Sequence, residues 1–417
     1  MKYHPKILLL TEIFPPAFNP RMGYLVKYLN EYGWEVQVVT ENIVKEGNFG
    51  YLANIDTIKR VNLKNTSTPK GIFQKTWRLL NKYRHFRNNK KPFTKVVFSN
   101  YCRTDFSLVL VSVSWNLFVL EAGYEISKKW NLPLVVDFRD MIEQKPADAF
   151  TDKNFLVRLI EQHFSRSILA VRNSIMRIAN HVICVTPLNL TVLKLINQNS
   201  SLIYNGYDSD LFKPQRNKTE VFRVIYTGII LNELEQDPSL LFQAVNKLSN
   251  ENIIDSQHFK IAFYTPQSFR LVIQNNPYFK CIEKYIEFND YVDYTEVNEL
   301  FNNSSVGLTL TNVVGSSGPK GVITTKFFEY LGAEIPVLCV KSDEEIMEKL
   351  IHETAVGCSA RTVEEAYNFI YEKWLEWKEK GFTTANINQD VKSQFTRRHQ
   401  AEQFIAIFEN ILNKQSK

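Results

Sequence analysis

Glycine is scarce in this chain, 15 of 417 residues. A glycine in a loop therefore marks a place where the backbone needs one. Cysteine is also thin. Cys102, Cys184, Cys281, Cys339 and Cys358 are widely spaced, odd in number and include no CxxC pair. That excludes a disulfide scaffold, and the expectation is five reduced thiols packed as small hydrophobes. None of the seven histidines pairs with another His or Cys at ligand spacing, so no metal site is expected. Long hydrophobic runs are missing too. The stretch Phe106 to Ala122 is broken by Ser107, Ser112, Ser114, Asn116 and Glu121. A spanning helix needs about 20 mostly apolar residues, so none is expected. The run Ile7 to Leu10 is too short for a signal-peptide core and reads as a buried first strand. Acidic residues are absent from one region altogether. Between Thr57 and Thr104 there are 13 Lys or Arg and no Asp or Glu. The formal net charge of +6 thus hides a body with 37 basic against 44 acidic residues and one strongly basic segment.

What remains is a globular composition, 44% hydrophobic and 23% charged, which excludes a disordered chain. Short β-rich runs recur at 7–10, 36–39, 108–111, 134–136 and 182–185, with helix-period segments between several of them. The pattern restarts after about residue 215 with runs at 224–226, 261–263, 306–310 and 337–340. Continuous apolar strands alternating with helices indicate a parallel sheet covered on both faces. The expected fold class is α/β, two doubly wound Rossmann-like domains facing each other across a cleft. The expected domains are 1–207 with the basic insert 57–104, a linker over 208–219, a second domain over 220–395, and a closing helix over 396–417. Ligands of such sheets bind at the carboxyl ends of the strands.

Three strand-end segments carry candidate chemistry. After the first strand, Arg21 and Gly23 lie where a helix begins. They read either as an anion site on free N–H groups or as a tight strand-to-helix turn. Asp137, Arg139 and Asp140 follow another strand, and read either as groups that bind ligand hydroxyls or as a structural salt bridge. The segment Thr325 to Leu331, TKFFEYL, puts Lys326 near a helix start and Glu329 one turn later. A carboxylate there can accept hydrogen bonds from both hydroxyls of a ribose, and a cation beside a helix N-terminus suits a diphosphate; the other reading is an ordinary amphipathic helix with a capping Thr and a surface Lys–Glu pair. The sequence Asp208-Ser209-Asp210 spells DxD but reads as a turn and cap.

These segments, in order and spacing, resemble the GT-B-fold glycosyltransferases, in particular glycosyltransferase family 4. The opening KILLLTEIFPPAFNPRMGYLVKYLNEYGWEVQVVT resembles that family's first strand, Pro-containing loop, Gly loop and helix. The segment 132–140 resembles its DxRD segment. Residues 204–208, with Phe212 and Pro214, resemble its interdomain NGxD…FxP segment. Tyr226-Thr227-Gly228 resembles its first donor-domain loop. The TKFFEYL helix with Pro336-Val337 resembles its nucleotide-binding helix. The resemblance implies a retaining, metal-independent enzyme, with a nucleotide-sugar as co-substrate and no cofactor. Its acceptor would be a saccharide or lipid-linked saccharide in surface polysaccharide or glycolipid assembly. It implies donor contacts by Arg21, Gly23, Gly228, Lys320, Lys326 and Glu329, and acceptor contacts by Asp137, Arg139 and Asp140.

Two positions depart from the family. The second glutamate that often lies eight residues before the ribose-binding one is Gly321 here. The Arg/Lys pair after the Gly228 position is replaced by Ile229, Ile230, Leu231, Asn232 and Glu233. These departures keep open a non-catalytic nucleotide-sugar-binding partner, beside a sugar-nucleotide epimerase of the same fold. In the basic segment, Gly71 to Arg87 is expected as a helix with Phe73, Trp77 and Leu80 on one side and Lys75, Arg78 and Lys82 on the other. That suits an anionic membrane surface, with a solvated insertion as the alternative and nucleic acid ranked last. The expected location is cytoplasmic, peripheral on the inner face of the membrane.

Overall fold

The computed structural model describes residues 5–43, 49–53, 55–63, 89–114, 116–144, 155–230, 236–311 and 321–415. The chain divides into two units. The first is built from residues 1–204 with 400–417, the second from residues 205–399.

The first unit holds seven strands: β1 Lys6–Thr11, β2 Glu35–Glu41, β3 Ile58–Val61, β4 Leu108–Val113, β5 Leu134–Phe138, β6 His181–Cys184 and β7 Ser200–Leu202. They lie in the order β3-β2-β1-β4-β5-β6-β7, and every pairing is parallel. The register sets Leu8 beside Gln37 on one side and Val109 on the other. Strand β4, LVLVSV, is buried at every position, as a central strand covered on both faces must be. The strand order reverses direction between β1 and β4, which places the switch point of this sheet at their carboxyl ends.

The second unit repeats the plan with β8 Phe222–Thr227, β9 Phe259–Tyr264, β10 Ile286–Asn289, β11 Val306–Leu310, β12 Val337–Val340 and β13 Gly357–Ser359. Their order is β10-β9-β8-β11-β12-β13, again all parallel. The switch point falls between β8 and β11. Both sheets are thus the doubly wound α/β type expected from the runs of apolar residues.

The basic segment 57–104 is less of an insertion than its charge suggests. Its first residues form edge strand β3, paired with β2. Its last third forms the helix Lys90–Asn100, which buries Phe93 and Val97 in the first unit's core. Part of its charge is locally matched. Lys90 lies 3.7 Å from both Glu121 and Glu125, and Arg60 donates to the Pro15 carbonyl at 2.9 Å. The expected helix Gly71 to Arg87 lies outside the described residues.

The expected closing helix runs Arg397–Gln415. From Gln400 onward it belongs to the first unit, where Phe408 packs on Trp34 with ring centroids 5.6 Å apart.

Candidate active site

The second unit's switch point is built around the helix Thr325–Ala333, with Thr324 as its N-cap residue. Phe327, Phe328, Tyr330 and Leu331 are buried, and the Tyr330 hydroxyl donates to the Ile225 carbonyl at 3.1 Å, which fixes the helix on β8. Tyr207 and Phe212 pack against Gly332, and Arg216 donates to the Ala333 carbonyl at 2.6 Å. The NGYD…F segment read from the sequence therefore clamps the same helix from outside. Within it, Asp208 accepts from the Asp210 N–H at 3.1 Å, a turn as the DxD was read.

This packing brings Gly228, Lys326 and Glu329 together. Gly228 follows β8 with φ +120°, a backbone conformation that L side chains rarely adopt. A Cβ at Gly228 would stand 2.7 Å from Lys326 Cε and 3.0 Å from its Nζ, so the glycine makes room for the cation. Lys326 Nζ also lies 4.9 Å from the centroid of the Tyr226 ring. Lys326 lies in the first turn, where the dipole favours an anion, and the Phe327 N–H is already bonded to the Thr324 carbonyl at 3.3 Å. Glu329 is buried, and its Oε1 accepts from the Tyr294 hydroxyl at 2.8 Å. Sequence reasoning missed Tyr294, which lies 35 residues away and carries no motif of its own.

Glu329 is buried and Lys326 half-buried. Burial pushes the Glu329 carboxyl above its ordinary range, against the Tyr294 hydrogen bond and the charges of Lys326 and Arg397. Burial likewise pulls Lys326 down, against the Glu329 charge. Burial thus disfavours both charged forms, and a partner of opposite charge or added hydrogen-bond donors would favour them again. A diphosphate would restore the lysine, and a diol donating two hydrogen bonds would restore the carboxylate. Lys320 and most of the 315–321 loop lie outside the described residues. Gly321 itself has φ +64°.

The first unit arranges its predicted residues differently from the expectation. Helix Pro20–Glu31 begins three residues before Gly23, capped by Asn19, whose side chain accepts from the Met22 N–H at 3.3 Å. The Gly23 N–H bonds the Asn19 carbonyl at 3.1 Å, and a Cβ there would meet Pro15 Cγ at 2.7 Å. Gly23 is the close-packed first turn of a helix, with its N–H already engaged.

Arg21 is equally engaged. Its Nη2 lies 2.7 Å from Asp137 Oδ1, its Nε donates to the same carboxylate at 3.1 and 3.2 Å, and its Nη1 donates to the Tyr204 carbonyl at 3.1 Å. Asp137 is 0% exposed and Arg21 3%. Of the two readings the sequence left open for Asp137, this geometry is that of the structural salt bridge, with Arg21 rather than Arg139 as the partner. Arg139 points elsewhere. Its Nε and Nη2 donate to Ser114 Oγ at 2.9 and 2.6 Å, and its Nη1 donates to Asn19 Oδ1 at 2.5 Å. Asp140 lies beside it, half-buried, its carboxyl raised by burial against the Arg139 charge and a Ser114 hydrogen bond. A fourth group, Glu12, joins these two at the end of β1 and was not singled out from the sequence.

No family model matches the chain, and no curated protein matches it. Solved structures do match, over nearly the whole length. Sucrose-phosphate synthase of Thermosynechococcus elongatus aligns with 99% of this chain and 100% of its own, at 13% identity and a TM-score of 0.62. HepE of Anabaena, solved in complex with UDP, aligns with 97% of this chain and 100% of its own, at 14% identity and a TM-score of 0.59. A structure described as a candidate UDP-N-acetylglucosamine 2-epimerase of Listeria monocytogenes aligns with 99% of this chain and 98% of its own, at 12% identity and a TM-score of 0.54. The two parallel sheets and this full-length likeness define a GT-B fold.

Proposed function

We propose that this chain is a retaining, metal-independent glycosyltransferase. It moves a sugar from a nucleotide-sugar to a saccharide or lipid-linked saccharide in surface polysaccharide or glycolipid assembly. The observation that carries the reading is the grouping of Gly228, which follows β8, with Lys326 and Glu329 of the helix Thr325–Ala333 at the second sheet's switch point. Support for the donor class comes from the fold neighbour HepE, solved with UDP and with UDP-glucose. Retention and the absence of a metal rest on the family resemblance of the TKFFEYL helix.

In this reading Glu329 holds the ribose hydroxyls, oriented by Tyr294. Lys326 and the first-turn N–H groups take the diphosphate and stabilise it as it leaves. The missing Arg/Lys pair after Gly228 makes Lys326 the principal cation on the described side of the diphosphate. Arg139 and Asp140 face the acceptor.

The test is a panel of UDP-, GDP-, ADP- and dTDP-sugars incubated with the full chain. Slow release of free sugar from one donor is expected. Conversion of a donor to its epimer would establish the epimerase instead, whose fold is shared. Tight binding with no turnover would establish the non-catalytic partner.

We further propose that the basic segment 57–104 brings the enzyme to an anionic membrane surface, where a lipid-linked acceptor resides. Among the described residues no helix is long and apolar enough to cross a membrane. Co-sedimentation with vesicles containing phosphatidylglycerol should show binding at low salt and release as salt rises past about 0.15 M, where the screening length falls to about 8 Å. Absence of binding, or binding indifferent to salt, would leave the segment as a solvated insertion.

A further inference from the structure

Glu12 is a buried titratable group that the donor chemistry leaves unused. It directly follows β1. Ser114 and Asn116 follow β4, and Arg139 and Asp140 follow β5. The strands β1, β4 and β5 are consecutive neighbours, so these side chains share the carboxyl edge of the first sheet at its switch point. Glu12 is 5% exposed, and its Oε2 has no hydrogen-bond partner. Asn116 and Ser114 lie beside its carboxyl group, Arg139 is the cation facing it, and Asp140 and Glu41 are the anions facing it.

The cluster is short of hydrogen-bond donors, and the shortage can be counted. The Ser114 hydroxyl accepts two N–H groups from Arg139 and has a single proton to give. Glu12 and Asp140 both lie within its reach, so only one of them receives it at a time. The remaining described guanidinium bond of Arg139 goes to Asn19. Burial raises both carboxyls, Glu12 and Asp140 alike, against the lowering influence of Arg139 and Ser114. Saccharide hydroxyls are neutral donors that can be placed in pairs, which suits the unpartnered Glu12 Oε2 and the half-buried carboxyl of Asp140 beside it. An anionic sugar would add charge beside two carboxyls and one committed guanidinium.

We infer that Glu12, together with Asp140, accepts hydroxyls of a neutral saccharide at the first sheet's edge and selects against uronate or phosphorylated ones. That the saccharide is the acceptor of a transfer rests on the proposed transferase function, but its binding needs no turnover. Saturation-transfer NMR on the full chain would use methyl glycosides of glucose, galactose and N-acetylglucosamine, with methyl glucuronide as the anionic probe. At least one neutral glycoside should bind, the glucuronide at least tenfold more weakly. Glu12→Gln should weaken the neutral glycoside about fivefold or more and narrow the gap to the glucuronide. No glycoside binding by the wild type, or the same affinities and the same gap in Glu12→Gln, overturns the inference. Should Glu12→Gln fail to fold, the half-buried Asp140→Asn must narrow the gap, and an unchanged gap there overturns it equally. A parallel titration with UDP checks the donor reading by itself, since lost UDP binding leaves the glycoside result standing.

Discussion

Replacing Glu329 with glutamine should cost about 3 kcal/mol of nucleotide affinity, roughly a hundredfold in Kd for UDP. The buried carboxylate accepts one hydrogen bond from Tyr294, which leaves lone pairs for a diol. Glutamine keeps the shape and one acceptor oxygen but removes the charge and turns the other terminal atom into a donor. Two charge-assisted hydrogen bonds from ribose become at most one neutral one. Titration calorimetry on the full chain measures the loss. A sharper version uses 2′-deoxy-UDP. If Glu329 grips the ribose, the wild type should bind the deoxy nucleotide much more weakly than UDP, and Glu329→Gln should bind the two almost alike. A wild type indifferent to the 2′-hydroxyl would remove the ribose role from Glu329. The nucleotide that the donor panel selects replaces UDP should the base be another one. A smaller companion effect follows from Tyr294→Phe. Removing the hydroxyl takes away a hydrogen bond that favours the ionised carboxyl, so the Glu329 carboxyl should rise further from its ordinary range.

How much of this was legible in the sequence depends on which physical signal each element carries. The central strands were readable because both their faces are buried, so β4 and β8 are runs of apolar residues. The strands that escaped lie toward the sheet edges. β7 is Ser-Ser-Leu and β13 is Gly-Cys-Ser, each three residues, too short and too polar for any periodicity. β10, Ile-Glu-Phe-Asn, is half-buried throughout, and β3 was hidden inside the basic segment. The donor-side grouping was readable because Lys326 and Glu329 share one helix, where spacing fixes neighbourhood. The first unit's cluster was not, because its members meet only through the sheet order. Glu12 looked like the polar stop of an apolar run, and nothing in the sequence placed it beside Arg139. The Arg21–Asp137 pair joins residues 116 apart, which no local pattern encodes.

That pair carries the largest stability effect expected outside the core. Asp137→Leu should destabilise the first unit by about 3–5 kcal/mol, because it strands a buried guanidinium without its counter-ion. For a unit of about 200 residues this corresponds to a fall in Tm of roughly 10 °C. Arg21→Met should cost a similar amount by stranding the carboxylate, which would keep only the weak Ser112 contact at 3.4 Å. The double variant Arg21→Met with Asp137→Leu should recover most of the loss, since replacing both charges removes both desolvation penalties. Recovery should still be incomplete. Arg21 also donates to the Tyr204 carbonyl and lies over the Phe404 ring at 5.5 Å, contacts that methionine makes only in part. Thermal and urea unfolding of the four proteins give the coupling energy directly. A coupling near zero would mean that the two charges are not bound to each other, and would return Asp137 to the acceptor-facing role suggested by the DxRD resemblance. A large coupling with donor hydrolysis falling only in step with folded protein would fix Arg21 and Asp137 as scaffold. Glu12, Arg139 and Asp140 would then be the polar groups left for an acceptor at the first sheet's switch point.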